Sequence, residues 1–137
     1  MPNTLELNRR HLMMGAGLAA TAFAAGATQA QAEGDATAPD LTGKSILITG
    51  CSSGFGRLGA EHYARLGAKV FATMRHLPRP EADELTALAA SDNLDITVIE
   101  IDVTSDEQVA AGVAEALSAA GGAVDVLINN AGIAFAG

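Results

Sequence analysis

A doubly wound α/β fold, a parallel sheet with helices on both faces, is predicted for residues 41–137, and three observations predict it. Short apolar, β-branched runs alternate with longer helical stretches in the order β-α-β-α-β-α-β. The connections are only a few residues long, which implies parallel strands joined by right-handed crossovers. The apolar mass is mostly Ala, Leu, Val and Ile, with 4% aromatic residues and no Trp, as suits strands buried on both sides.

The first strand is expected at 45–49, Ser-Ile-Leu-Ile-Thr, and a helix at 55–66. Gly67 ends that helix, because a left-handed residue costs glycine nothing. The second strand covers 69–74, with its apolar centre at Val70-Phe71-Ala72. A loop with Pro78 and Pro80 leads to a helix over 81–90, whose first-turn acids suit the helix dipole. Asp92-Asn93 marks a turn, and the β-branched run 96–101 is the third strand. Thr104 is expected to cap the third helix, with Glu107 at capping-box spacing. Val109, Val113, Ala116, Leu117 and Ala120 give that helix an apolar face, and Gly121-Gly122 stops it. The fourth strand covers 124–129 and runs into Asn130-Ala131-Gly132. The expected fold is therefore truncated after the fourth strand.

Gly50-Cys51-Ser52-Ser53-Gly54-Phe55-Gly56 joins the first strand to the first helix. Strand, glycine-rich turn and helix together make a dinucleotide-phosphate site. The turn brings bare backbone close to the ligand, and the unpaired N–H groups of the helix start face the pyrophosphate. The single cysteine, Cys51, excludes an intrachain disulfide and reads as a small filler within the turn. No Cys/His cluster has metal-ligand spacing. The formal charge is −8, and of the acidic residues only Glu6 precedes residue 33. That argues against nucleic acid or an anionic membrane surface as partner.

Residues 1–32 have the order of an export signal: Arg9-Arg10, an apolar Ala/Gly-rich stretch at 12–27, then Ala30-Gln31-Ala32. Adjacent arginines before a weakly apolar core are those of a twin-arginine-type signal, and the stretch is too short and Gly-rich for a good membrane span. The expected location is the periplasm or beyond; the alternative is an uncleaved extension on a cytoplasmic protein. Residues 33–40 read as a linker and 41–137 as a partial dinucleotide-binding domain.

Three motifs carry a family resemblance. Thr49-Gly50-Cys51-Ser52-Ser53-Gly54-Phe55-Gly56 matches T-G-x-x-x-G-x-G, Asp102-Val103 matches an acidic-apolar pair after the third strand, and Asn129-Asn130-Ala131-Gly132 matches N-N-A-G. In these the chain resembles the short-chain dehydrogenases/reductases, over about residues 41–134. The resemblance implies a Rossmann-like sheet with the fourth strand beside the first, and an NAD(P) cofactor. It implies that Gly50, Gly54 and Gly56 shape the turn, and that Ser52 and Ser53 bond phosphate or ribose oxygens. It implies that the Phe55 N–H faces the pyrophosphate. It places Asp102 on the adenine amino group, Val103 on the ring, and Asn129, Ala131 and Gly132 near the ribose. Asn130 is implied to tie neighbouring strands together. The bland alternatives are turn residues for the Ser pair and a turn cap for Asp102. At the end of the second strand no acid stands to bond the ribose hydroxyls of NAD. Met74 is there instead, then Arg75, whose guanidinium suits a phosphate. NADP is therefore expected ahead of NAD, and a solvated loop cation is the alternative for Arg75.

The family's proton-transfer pair is a Tyr with a Lys four residues later. The single tyrosine, Tyr63, is followed at that spacing by Gly67. The sequence therefore predicts the cofactor half of an alcohol/carbonyl oxidoreductase, with no catalytic residue and inactive alone. A small alcohol or carbonyl substrate and a homo-oligomer are expected only of a complete parent. The alternatives are a non-catalytic dinucleotide-binding module, an inactive truncated product, and an S-adenosylmethionine-binding fold, which Met74 disfavours.

Overall fold

The computed structural model describes residues 37–133. The expected signal at 1–32 and the first part of the linker at 33–40 lie outside the described residues. Four strands, β1 (Ser45–Ile48), β2 (Lys69–Met74), β3 (Ile96–Glu100) and β4 (Val126–Ile128), alternate with three helices, α1 (Gly54–Arg65), α2 (Pro80–Asp92) and α3 (Asp106–Ala119). The strands are parallel, in the order β3-β2-β1-β4. Leu47 lies opposite Phe71 on one side and Leu127 on the other. β1 is thus flanked on both sides, and its carboxyl end lies where the strand order reverses, the place where such sheets bind ligands.

Alternating strand side chains feed two cores. Ile46, Ile48, Val70, Ala72 and Met74 pack with Ala60 and Ala64 of α1 and with Ala82 and Leu85 of α2. Leu47, Phe71, Ile99 and Ile101 pack with Ala116 and Val109 of α3. Alanines on the packed helix faces let the backbones lie close to the sheet.

α1 lies one residue earlier than expected, at Gly54–Arg65, and β1 and β3 end one residue earlier, at Ile48 and Glu100; the other differences have local reasons. α2 starts at Pro80, whose missing N–H costs nothing in a first turn. It runs on to Asp92 and ends at Asn93, left-handed at φ 54. The cap of α3 is Ser105, not Thr104. The Thr104 hydroxyl is already donating to Asp102 Oδ1 at 2.7 Å, so the helix starts one residue later. Ser105 Oγ accepts from Gln108 N at 3.3 Å, and Gln108, not Glu107, reaches back, to the Asp102 N–H at 2.8 Å. Val113 is exposed, because α3 settles on Gly112, where a Cβ would run into the Ile101 side chain. β4 is shorter than 124–129, since the Asp125 carboxylate accepts the Ser45 N–H at 2.8 Å ahead of the ladder.

Candidate functional site

Beyond β1 the chain makes a turn that needs glycine for distinct reasons. Gly50 and Gly54 are left-handed, at φ 74 and 58. At Gly50 a Cβ would also lie 2.8 Å from the Ala131 Cα, whereas at Gly54 it would face open space, with nothing within 4 Å. At Gly56 it would strike the Gly50 carbonyl and the Asn130 amide. Cys51 is fully buried, its N–H donating to Thr73 O at 2.8 Å and its thiol to Ile48 O at 3.3 Å. Burial pushes that thiol up to about 11, so it is an inert filler.

The turn is clasped from β4. Asn130 Nδ2 donates to Thr49 O at 3.0 Å and to Gly50 O at 3.1 Å. Thr49 Oγ1 accepts from Asn130 N at 3.0 Å and Ala131 N at 2.9 Å. Asn130 therefore joins the ends of β4 and β1, and Thr49 is occupied structurally.

The three helix starts differ in charge. α2 carries Glu81 and Asp83 in its first turn, and α3 carries Asp106 and Glu107 behind the Ser105 cap. α1 carries no acid there, and Ser53, its N-cap, makes no side-chain hydrogen bond to the helix. First-turn N–H groups have no intrahelical acceptor, and the dipole is positive at that end. In an acidic chain, α1 is the helix whose start fits an anion, and the open space beside Gly54 leaves room for one. The residues present fit the pyrophosphate of a dinucleotide.

Around this turn the expected contact residues gather at the carboxyl edge of the sheet. Ser52 is half-buried, while Ser53 and Phe55 are exposed. Ala131 lies against Gly50, with Asn129 and Gly132 exposed on either side of the Asn130–Ala131 pair. Asp102 and Val103 follow β3. The Thr104 hydroxyl and N–H hold the Asp102 carboxyl below its ordinary range, with Arg75 and His76 adding to the effect. Both Thr104 bonds land on Oδ1, and Oδ2 has no partner among the described residues. Asp102 thus closes a turn with one carboxylate oxygen left unengaged among the described residues, beside an exposed Val103. Tyr63 is half-buried against the core on α1.

Arg75 follows β2 at the same edge. Among the described residues every other Lys or Arg holds a carboxylate: Lys44, Arg57, Arg65, Lys69 and Arg79. Sequence reasoning missed the contacts that fix the Arg75 loop. Arg79 Nη1 donates to Arg75 O at 3.2 Å, and Leu77 N to Glu100 Oε1 at 3.1 Å. Arg79 grips Glu81 with two bonds, 2.9 and 3.1 Å, and Arg57 Nη1 donates to Glu81 O at 3.3 Å. The one available signal was the Arg-Pro-Glu order at a helix start.

Arg79 holds the Glu81 carboxyl at about 2, against 4.5 ordinarily. A depressed folded-state value stabilises above the unfolded value and loses that contribution as pH falls through the folded one. Glu81→Gln is therefore expected to lower the melting temperature at pH 7, with the gap to the parent closing between about pH 5 and 2. Melts across that range measure it; a gap that does not change with pH removes the ion pair as its cause.

A family description, short chain dehydrogenase, matches residues 44–137. Human retinol dehydrogenase 8 is 41% identical over 97 residues, 69% of this chain and 30% of that protein. The uncharacterized oxidoreductase YusZ of Bacillus subtilis is 43% identical over 97 residues, 69% of this chain and 32% of that protein. The chain spans about a third of the length of these relatives. A blue fluorescent protein from a metagenomic library, solved in complex with NADPH, superposes with TM-score 0.65 at 32% identity, over 72% of this chain and 40% of that one. Hydroxysteroid dehydrogenase from Escherichia coli gives 0.60 at 30% identity, over 67% of this chain and 38% of that one. With a match over residues 44–137 that takes in all four strands, the chain belongs to the short-chain dehydrogenase family.

Proposed function

We propose that this chain binds NADP(H) and forms the cofactor half of an oxidoreductase acting between an alcohol and a carbonyl. The observation that carries the reading is the charge arrangement at the carboxyl edge. α1 starts without an acid, and Arg75 alone among the described cations is left without a carboxylate. Backbone N–H groups at 54–56, with Ser52 and Ser53, take the pyrophosphate. Arg75 takes the 2′-phosphate, Asp102 the adenine amino group through Oδ2, and Val103 the ring. Asn129, Ala131 and Gly132 line the ribose. When bound, the nicotinamide supplies or accepts a hydride. The 137 residues contain no Tyr-x-x-x-Lys pair, so they bind and orient the cofactor without turning over substrate. The NADPH complex of the metagenomic relative supports the cofactor class. Arg9-Arg10 and Ala30-Gln31-Ala32 support export of the folded, cofactor-loaded chain.

Thermal melts with either dinucleotide test the cofactor. NADP is expected to protect more than NAD, with an affinity ratio of about tenfold, the worth of one charge-assisted phosphate contact. Arg75→Glu is expected to reverse that order. Equal protection by both, or none by either, overturns the assignment.

A further inference from the structure

We propose that Glu100 and Arg79 are positioning residues that set Arg75 in place for the 2′-phosphate, so that preference for NADP resides in the whole 75–81 loop. This rests on the NADP reading above. An exposed arginine on an unfixed loop loses backbone and rotamer freedom when it grips a ligand, and that loss comes off the affinity. Here the backbone is fixed beforehand. The Arg75 carbonyl is held by Arg79 Nη1 at 3.2 Å, and two residues on, the Leu77 N–H is held by Glu100 Oε1 at 3.1 Å. Between them His76 stands at φ 58, a left-handed conformation uncommon for a residue with a Cβ.

Arg79 is itself immobilised by its two bonds to Glu81. The Glu81 carbonyl is tied to Arg57 in the first turn of α1. A chain of contacts thus runs from the helix start that fits the pyrophosphate to the arginine that fits the 2′-phosphate. It joins β3, α1 and α2 through the side chains of Glu100, Arg57 and Arg79.

Glu100 makes the test decisive, because field and position predict opposite signs. A carboxylate near a phosphate repels it, so by field alone Glu100→Ala would tighten NADP binding. If Glu100 positions Arg75, the same change weakens NADP binding, by about fivefold for one lost charge-assisted bond, and leaves NAD affinity unchanged. Glu100→Gln keeps an acceptor oxygen and restores NADP binding to the parent level or better. Arg79→Gln weakens NADP binding selectively as well. The measurement is titration of the 137-residue variants with NADP and NAD. Glu100→Ala binding NADP as tightly as the parent overturns the positioning role, as does Glu100→Gln matching Glu100→Ala. Arg75→Gln separates the two ideas. If it leaves the NADP:NAD ratio unchanged, the NADP reading fails and this inference with it. If it collapses the ratio while Glu100→Ala does not, only the positioning role fails.

Discussion

Gly54→Val is expected to abolish protection by NADP while leaving a folded chain. Gly54 sits at φ 58, and forcing a β-branched residue into that region costs about 1–2 kcal/mol. Apart from its chain neighbours and its own helix backbone, nothing lies within 4 Å of the added Cβ, so the Cβ itself meets no clash with the rest of the fold. For a domain near 100 residues that penalty corresponds to about 4–15 °C in melting temperature. The side chain then stands beside the first-turn N–H groups of α1, where the phosphates must come close to backbone. Calorimetry or fluorescence melts with and without NADP measure both effects. A variant that melts lower yet keeps its NADP-induced shift refutes the site.

Asn130→Ala is expected to be the most costly single truncation for stability outside the apolar cores. The Nδ2 group satisfies the carbonyls of both Thr49 and Gly50. Removing it strands two half-buried acceptors at the tightest point of the turn, a loss of about 2–3 kcal/mol. Asn130→Asp is worse, since a carboxylate oxygen then faces two carbonyl oxygens. Urea titration reads the loss as a lower midpoint at unchanged slope. A midpoint within error of the parent shows that the clasp contributes nothing.

The strand and helix order was legible in the sequence because it rests on local pattern. Val70-Phe71-Ala72 and the run 96–101 are short and β-branched or aromatic, and Gly67 and Asn93 are residues that tolerate left-handed backbone. The glycine turn was legible because steric need at Gly50, Gly54 and Gly56 leaves few substitutes. What escaped depends on contacts distant in sequence or on competition between neighbours. Thr104 and Ser105 are both good caps, and only the Thr104–Asp102 bond decides between them. Val113 fits the helical period, but Gly112 wins the buried position because Ile101 fills the space a side chain would take. The Glu100–Leu77 bond joins residues on separate elements, and no spacing rule announces it.

The Asn130 and Thr49 bonds also set an order of events. A nascent polypeptide that has emerged only as far as Arg65 already contains every glycine of the phosphate loop and none of its clasp from Asn130 and Ala131, which follows about 80 residues behind. On the proposed function, coenzyme affinity therefore follows the docking of β4 beside β1. A nucleotide held at the proposed site would report that β4 has docked on β1.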